Sequence, residues 1–222
     1  VVMAMAMILS LAACMGGEAS TPAPTEEPAE TAPAETVPAE GEPAEGAVYD
    51  IGICQQMQHP SLDEATQGFE DALTELLGDQ VKFDYQNAGG EQANCTSIVA
   101  KFVSDDVDLI MANATTALQS AQAATTTIPV VGTSVTDYVS SGIVESNEAP
   151  GANVTGYSDL SDVSNHVALL QQLLPDVGTV AIIRSSGEEN SRIQSETAAA
   201  AFEEARIATE EYTANDSNDI SS

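Results

Sequence analysis

From Ala47 onward, short runs of β-branched and aliphatic residues alternate with stretches in which apolar positions recur every three or four residues. The short runs fit strands buried on both faces, and the wider spacing fits helices with one buried stripe. Tyr49 to Cys54 is therefore a predicted strand, followed by a helix over Ser61 to Gly78 in which Ala65, Phe69, Ala72, Leu73 and Leu76 share a face. Ser61 and Glu64 stand where a capping box would open that helix. The alternation continues with strand Val81 to Tyr85, a helix around Gln92 to Val103, strand Val107 to Ala112, a helix around Thr116 to Ala124 and strand Ile128 to Gly132. Three consecutive strand-helix-strand units with right-handed crossovers make a parallel sheet covered on both faces. The predicted fold class is α/β with a doubly wound sheet.

The pattern resumes at Asn153 to Gly156, a short strand, and at a helix from about Ser161 to Leu174 with Val163, Val167, Leu170 and Leu174 on one face and Pro175 as its stop. Strand Thr179 to Arg184, a helix from Ser191 to about Ala205 and a strand near Thr209 to Tyr212 follow. This reads as a first lobe over residues 48–157 and the start of a second α/β lobe over 158–222. Two strand-helix repeats are too few to close a sheet comfortably, so the second lobe is expected to be incomplete and the sequence a fragment at both ends.

Before Ala47 the pattern is different. An apolar run from Val1 to Ala13 is shorter than the roughly 20 residues that span a bilayer, and it reads as the core of a secretion signal without its basic start. Leu11-Ala12-Ala13-Cys14 is similar to the lipobox of bacterial lipoproteins, which implies that residues 1–14 are a signal and that the Cys14 thiol carries a lipid. Residues 15–47 are Pro, Ala, Glu, Thr and Gly with almost no large apolar side chain, a composition that cannot offset its ordering entropy. They read as a tether.

Charge narrows the function. Five Lys and Arg stand against 35 Asp and Glu, for a net charge of -30. Without a basic stripe, nucleic-acid binding is excluded, and membrane attachment has to come from a lipid rather than from surface electrostatics. Two histidines and three scattered cysteines, in no zinc-ligand spacing, make a metal site unexpected. Cys54 and Cys95 read as small buried hydrophobes, although an exported location permits a disulfide between them. No GxSxG elbow is present, so a hydrolase lacks its nucleophile and the chain is not expected to be an enzyme.

Several motifs occur together in one order: Ile51-Gly52-Ile53-Cys54-Gln55 with His59-Pro60-Ser61-Leu62-Asp63, Lys82-Phe83-Asp84-Tyr85-Gln86-Asn87-Ala88, Phe102 through Ile110, Thr133-Ser134-Val135-Thr136-Asp137 and Asn153-Val154-Thr155-Gly156. In this order the chain resembles ABC-transporter substrate-binding lipoproteins of the tryptophan/tyrosine type, over about Tyr49 to Ile220. The resemblance implies a two-lobed periplasmic-binding-protein fold, doubly wound sheets joined by a hinge, that captures a small solute, often an aromatic amino acid, and delivers it to an ABC permease. It implies no cofactor, an exported, lipid-anchored location and a monomer. In such families the chain crosses back to complete both lobes, and the returning segment is expected beyond this sequence. A ligand-sensing receptor domain of the same fold, or a binder of another small polar solute, is the alternative.

In open parallel sheets, ligands sit beyond the carboxyl ends of the strands. The loops there carry Gln55 and His59, Asn113, Thr115 and Thr116, Ser134, Thr136, Asp137 and Tyr138, Tyr157, Ser158 and Asp159, and Glu188, Asn190 and Ser191. Thr115, Thr116, Ser134 and Thr136 suit a carboxylate, Asp137 an ammonium group, and Tyr138 and Tyr157 an aromatic ring. Each has an ordinary role as well: Thr115, Thr116 and Asp159 as helix caps, the tyrosines as loop packing, His59 as a shaper of the turn before Pro60. His166 reads as a flanking helix residue.

Overall fold

The computed structural model describes residues 46–215 and 219; the signal, the lipobox with Cys14 and the tether up to Glu45 lie outside the described residues. β1 (Tyr49–Gln55), β2 (Val81–Asn87), β3 (Leu109–Asn113), β4 (Val130–Val135) and β5 (Val154–Ser158) form one sheet in the order β2-β1-β3-β4-β5. All four pairings are parallel. The helices α1 (Pro60–Leu77), α2 (Gln92–Ser104) and α3 (Thr115–Ala124) supply the crossovers.

Strand alternation assigns each face its cover. Ile51, Ile53 and Met111 cluster with Phe69 and Leu73 of α1. Cys54, Ile110, Ala112 and Val130 cluster on the opposite face with Val99 and Phe102 of α2 and Leu118 of α3. Gly52 belongs to this second face, and a Cβ there would lie 2.6 Å from the Phe102 ring, so the ring packs directly on the strand backbone. Two turns before Phe102, Cys95 is fully buried like Cys54, and both are free thiols. Mutual contact and burial push the Cys54 thiol far above its usual range.

Some element ends differ from the sequence expectation, each for a local reason. The α1 cap is His59, whose Nδ1 accepts the Ser61 N–H at 3.3 Å, with Pro60 at the first position, where no N–H is needed; Ser61 is inside the helix and does not cap it. Val107 is buried but sits in the turn after α2, its N–H donated to Phe102 O, so β3 starts later. Ile128 N–H goes to Thr125 Oγ1 instead of the sheet, so β4 begins at Val130. β4 runs on to Val135 through an irregularity in which Ser134 has φ 55°. β5 is the edge strand of the first sheet, which therefore ends at Ser158.

The second lobe contains α4 (Val163–Leu173), β6 (Thr179–Ser185), α5 (Glu189–Glu204) and β7 (Ala208–Ala214), with β6 and β7 paired in parallel. Asp162 caps α4 through the N–H and hydroxyl of Ser164, and these bonds hold its carboxyl below the usual range. Asp159, three residues earlier, does not cap it. α5 covers one face of the two-stranded sheet with Ile193 and Ser195 buried, while Ile183 and Tyr212, partners in the register, stay exposed on the other face.

Candidate functional site

The order β2-β1-β3-β4-β5 reverses direction between β1 and β3, the place where doubly wound sheets open a crevice at their carboxyl ends. Gln56, one residue past β1, bridges that point. Its backbone N–H donates to Asn113 O at 3.1 Å, and its side-chain Oε1 accepts the Thr116 N–H in the first turn of α3 at 3.2 Å. α3 is entered through Ala114 at φ 86° and ψ 161°, a conformation in which an L side chain is strained. Neither Thr115 nor Thr116 caps the helix; Gln56 satisfies the Thr116 donor from another strand end. Thr115 is buried, and Thr116 is half-buried at the crevice.

Directly beneath, a polar network fixes the strand ends. Gln55 is fully buried; its Nε2 donates to Asp63 Oδ1 at 2.6 Å and Met57 O at 2.8 Å, and its Oε1 accepts the Thr66 hydroxyl at 2.7 Å. Asn113 donates to Leu62 O and to Thr66 Oγ1, and its own Oδ1 is buried without a hydrogen-bond partner among the described residues. These two residues hold α1 against β1 and β3, with their donors spent internally.

The fourth strand end is organised in the same manner. Asp137 Oδ1 accepts the N–H groups of Val139 and Ser140, and its Oδ2 accepts the Ser140 hydroxyl at 2.7 Å. Partial burial pushes this carboxyl up, and the three bonds outweigh it to leave the group below its usual range. Tyr138 turns into the core: its hydroxyl donates toward Gly132 O at 2.9 Å and Tyr157 O at 3.2 Å, and burial raises its pKa to about 12. The Tyr157 ring is exposed, so the two tyrosines do not converge on one space. Ser158 Oγ donates to Thr136 O and accepts from Leu160 N–H. Asp159 N–H goes to Val135 O, and His59 is exposed at the α1 cap.

Facing α3 from the second lobe, the β6–α5 connection closes a cavity of about 300 Å³ lined by Gln92, Thr116 and Gln119 on one side and by Arg184, Glu188 and Arg192 on the other. The Arg184 Nε donates to Glu211 Oε1 at 2.7 Å, and Glu211 Oε2 accepts the buried Ser195 hydroxyl at 2.7 Å. The Ser195 and Arg184 bonds hold the Glu211 carboxyl below its usual range. Arg192 is enclosed by Glu189 and Glu196 on its own helix. Across the lobes, Gln194 Nε2 donates to the buried Thr136 Oγ1 at 2.9 Å. Ser191, Asp159 and His166 line a separate cavity of about 330 Å³ between α4, β6 and α5. Asn190 lies in the first turn of α5, half-buried.

Of the residues expected from sequence, Thr116 and Glu188 share the interlobe cavity. Gln56, Gln92, Gln119, Arg184 and Gln194 were not anticipated. Arg184 carries the clearest signal in retrospect: a cation at a strand end in a chain with only five Lys and Arg. Among the described residues, no three His, Cys, Asp or Glu side chains converge as a metal site would.

Comparison with known proteins adds the following. Residues 50–222 match the family of ABC transporter substrate binding proteins. A tyrosine-binding protein of Clostridioides difficile is 43% identical over 148 residues, 65% of this chain and 43% of its own length. An ABC domain from Streptococcus pneumoniae in complex with L-Trp superposes with a TM-score of 0.74 at 35% identity, covering 78% of this chain and 60% of that one. The ligand-free, open structure of a substrate binding protein with adhesive properties from Clostridium difficile superposes with a TM-score of 0.61 at 35% identity and the same coverage. The chain thus spans between 43% and 60% of the length of these relatives.

Proposed function

The chain belongs to the ABC transporter substrate-binding protein family, and on that premise we propose that it captures an amino acid, aromatic ones preferred, in the crevice between its lobes for delivery to a membrane permease. The observation that carries this reading is the cavity of about 300 Å³ whose walls come from both lobes, with hydroxyl, amide and charged groups of both signs on them. That volume is at the small end of ligand sites, and the lining suits a small zwitterion rather than an extended apolar molecule. The named ligands of two relatives, tyrosine and L-Trp, supply the aromatic preference. The better superposition on the L-Trp complex than on the ligand-free open structure, at equal coverage, supports a lobe arrangement nearer that of the ligand-bound relative.

In this reading the Thr116 hydroxyl, at the first turn of α3, meets the ligand carboxylate, since a helix N-terminus favours negative charge. Asp137, with its oxygens turned onto its own loop, is the weaker ammonium partner. The protein acts by binding and release. A thermal-shift series with the amino acids, on the full-length protein, tests it: a ligand at 100 times its Kd adds about 2.7 kcal/mol of apparent stability. No shift with L-tryptophan, L-tyrosine or any other amino acid would overturn the reading, as would chemical turnover of the bound compound.

The membrane attachment is proposed on sequence alone, from the lipobox at Leu11 to Cys14. Two acyl chains suffice for stable anchoring where one is marginal. Cys14→Ala should release the protein from the membrane fraction, and retention there would contradict a lipid anchor.

A further inference from the structure

We infer that Arg184 and Glu188, both on the second-lobe wall of the interlobe cavity, read the two charges of the ligand, Arg184 taking its carboxylate and Glu188 its ammonium group; this rests on the amino-acid reading above. The inference starts from how the chain spends its few cations. Lys101 is paired with Asp84 and Asp105, and Arg192 gives its Nε and both terminal nitrogens to Glu189 and Glu196. Arg192 therefore lines the cavity with its charge already neutralised. Arg206 and Lys82 are exposed elsewhere.

Arg184 is ion-paired as well, with Glu211, but unlike Arg192 it keeps donors unspent at the cavity. Its side chain is 21% exposed, and it lines the interlobe cavity and the two cavities beside it. Of the five N–H donors of a guanidinium, Nε–H is spent on Glu211 and one Nη1–H on Ser185 O at 3.3 Å. Nη2 has no protein acceptor among the described residues, so one edge of the fork is left for a planar anion. The Glu211 carboxylate occupies the other edge and is held by the Ser195 hydroxyl.

Glu188 lines the same cavity, at the residue before α5, and its side chain makes no hydrogen bond or ion pair among the described residues. The other acidic group there, Glu189, is committed to Arg192. Arg184 and Glu188 are not paired with each other. The cavity thus presents one cation with unused donors and one unpaired carboxylate, on the wall opposite Thr116, Gln92 and Gln119. A molecule with a carboxylate and an ammonium group on one carbon satisfies both at once, whereas an amine or an acid alone leaves one charge unmatched.

The test uses the full-length protein and three probes: L-tryptophan, tryptamine, which lacks the carboxylate, and indole-3-propionate, which lacks the ammonium group. The parent should prefer L-tryptophan over both. Arg184→Gln should weaken L-tryptophan by about 30-fold or more and lose the preference over tryptamine, with Arg184→Lys between it and the parent. Glu188→Gln should lose the preference over indole-3-propionate and keep that over tryptamine. Melting curves of each variant establish that it is folded, and Arg184→Lys preserves the charge should Arg184→Gln not fold. A parent that binds L-tryptophan and variants with unchanged preferences overturn this assignment alone. A parent that binds no amino acid in the thermal-shift series overturns the amino-acid reading and this assignment with it.

Discussion

Gln194, on α5 of the second lobe, donates from Nε2 to the Thr136 hydroxyl at the end of the first sheet at 2.9 Å, and Thr136 is itself buried. A bond between lobes is made only when the lobes are together, so it favours the arrangement in which they are.

Removing that bond should cost the closed form about 0.5–1.5 kcal/mol. Gln194→Ala should therefore weaken ligand affinity by about 2- to 10-fold and enlarge the radius of gyration of the unliganded protein, as calorimetry and solution scattering would register. Unchanged affinity together with unchanged scattering would mean that the bond has no part in closure.

Gln56 supports α3 by length as well as chemistry, since its Oε1 reaches the Thr116 N–H from the end of β1. Losing a helix cap typically costs about 1 kcal/mol, or about 2–4 °C in melting temperature for a domain of this size. Gln56→Ala should show that loss, and Gln56→Asn, one methylene too short to reach, should match it. A melting temperature for Gln56→Asn equal to that of the parent would refute the capping role.

The contact between Gly52 and Phe102 leaves no room for a methyl group, because a Cβ at Gly52 would lie 2.6 Å from the ring. Overpacking of this kind costs about 1–3 kcal/mol. Gly52→Ala should be destabilising by that amount in urea denaturation. Combined with Phe102→Leu it should cost less than the sum of the two single changes; strict additivity would argue that the two sites do not touch.

Acidification should destabilise the fold through carboxylates that hydrogen bonds hold below their usual range: Asp137 on the Val139–Ser140 turn, Asp162 at the α4 cap and Glu211 between Ser195 and Arg184. Each is depressed in the folded state, so the unfolded chain binds protons first as pH falls. Their stabilisation is complete above the ordinary carboxylate range, about pH 4–4.5, and is lost as pH drops through and below it. Urea midpoints measured from pH 7 down to pH 3 should fall at the acid end, and Asp137→Asn should flatten part of that fall. An identical acid dependence in Asp137→Asn would remove Asp137 from the set.

Much of this was legible in the sequence. Strand periodicity placed Ile51, Ile53 and Cys54 in β1, and the strand-helix alternation forced parallel, doubly wound pairing, because a short crossover has one favourable hand. The crevice at the strand ends followed from that topology. Element ends were less readable: Ile128 and Val107 are apolar and buried, as strand residues are, yet their N–H groups go to Thr125 Oγ1 and Phe102 O. Burial leaves a mark on composition, but the direction of a hydrogen bond does not.

The site residues divide along the same line. The chemical types at the strand ends, amides, hydroxyls and a few acids, are fixed by local sequence, and so is their gathering at one edge of the sheet, because parallel strands all end on the same side. Which of them are used internally depends on contacts between residues far apart in the chain: Gln55 with Thr66, Asn113 with Leu62, Thr136 with Gln194, Arg184 with Glu211. Asp137 and Glu188 look alike in the sequence, an acid in a loop after a strand. The turn after β4 folds back onto the Asp137 oxygens, while Glu188, before α5 and lining the cavity, has no side-chain partner among the described residues. A carboxylate's availability is set by the donors that reach it, and the chain path in three dimensions brings those donors near or keeps them away.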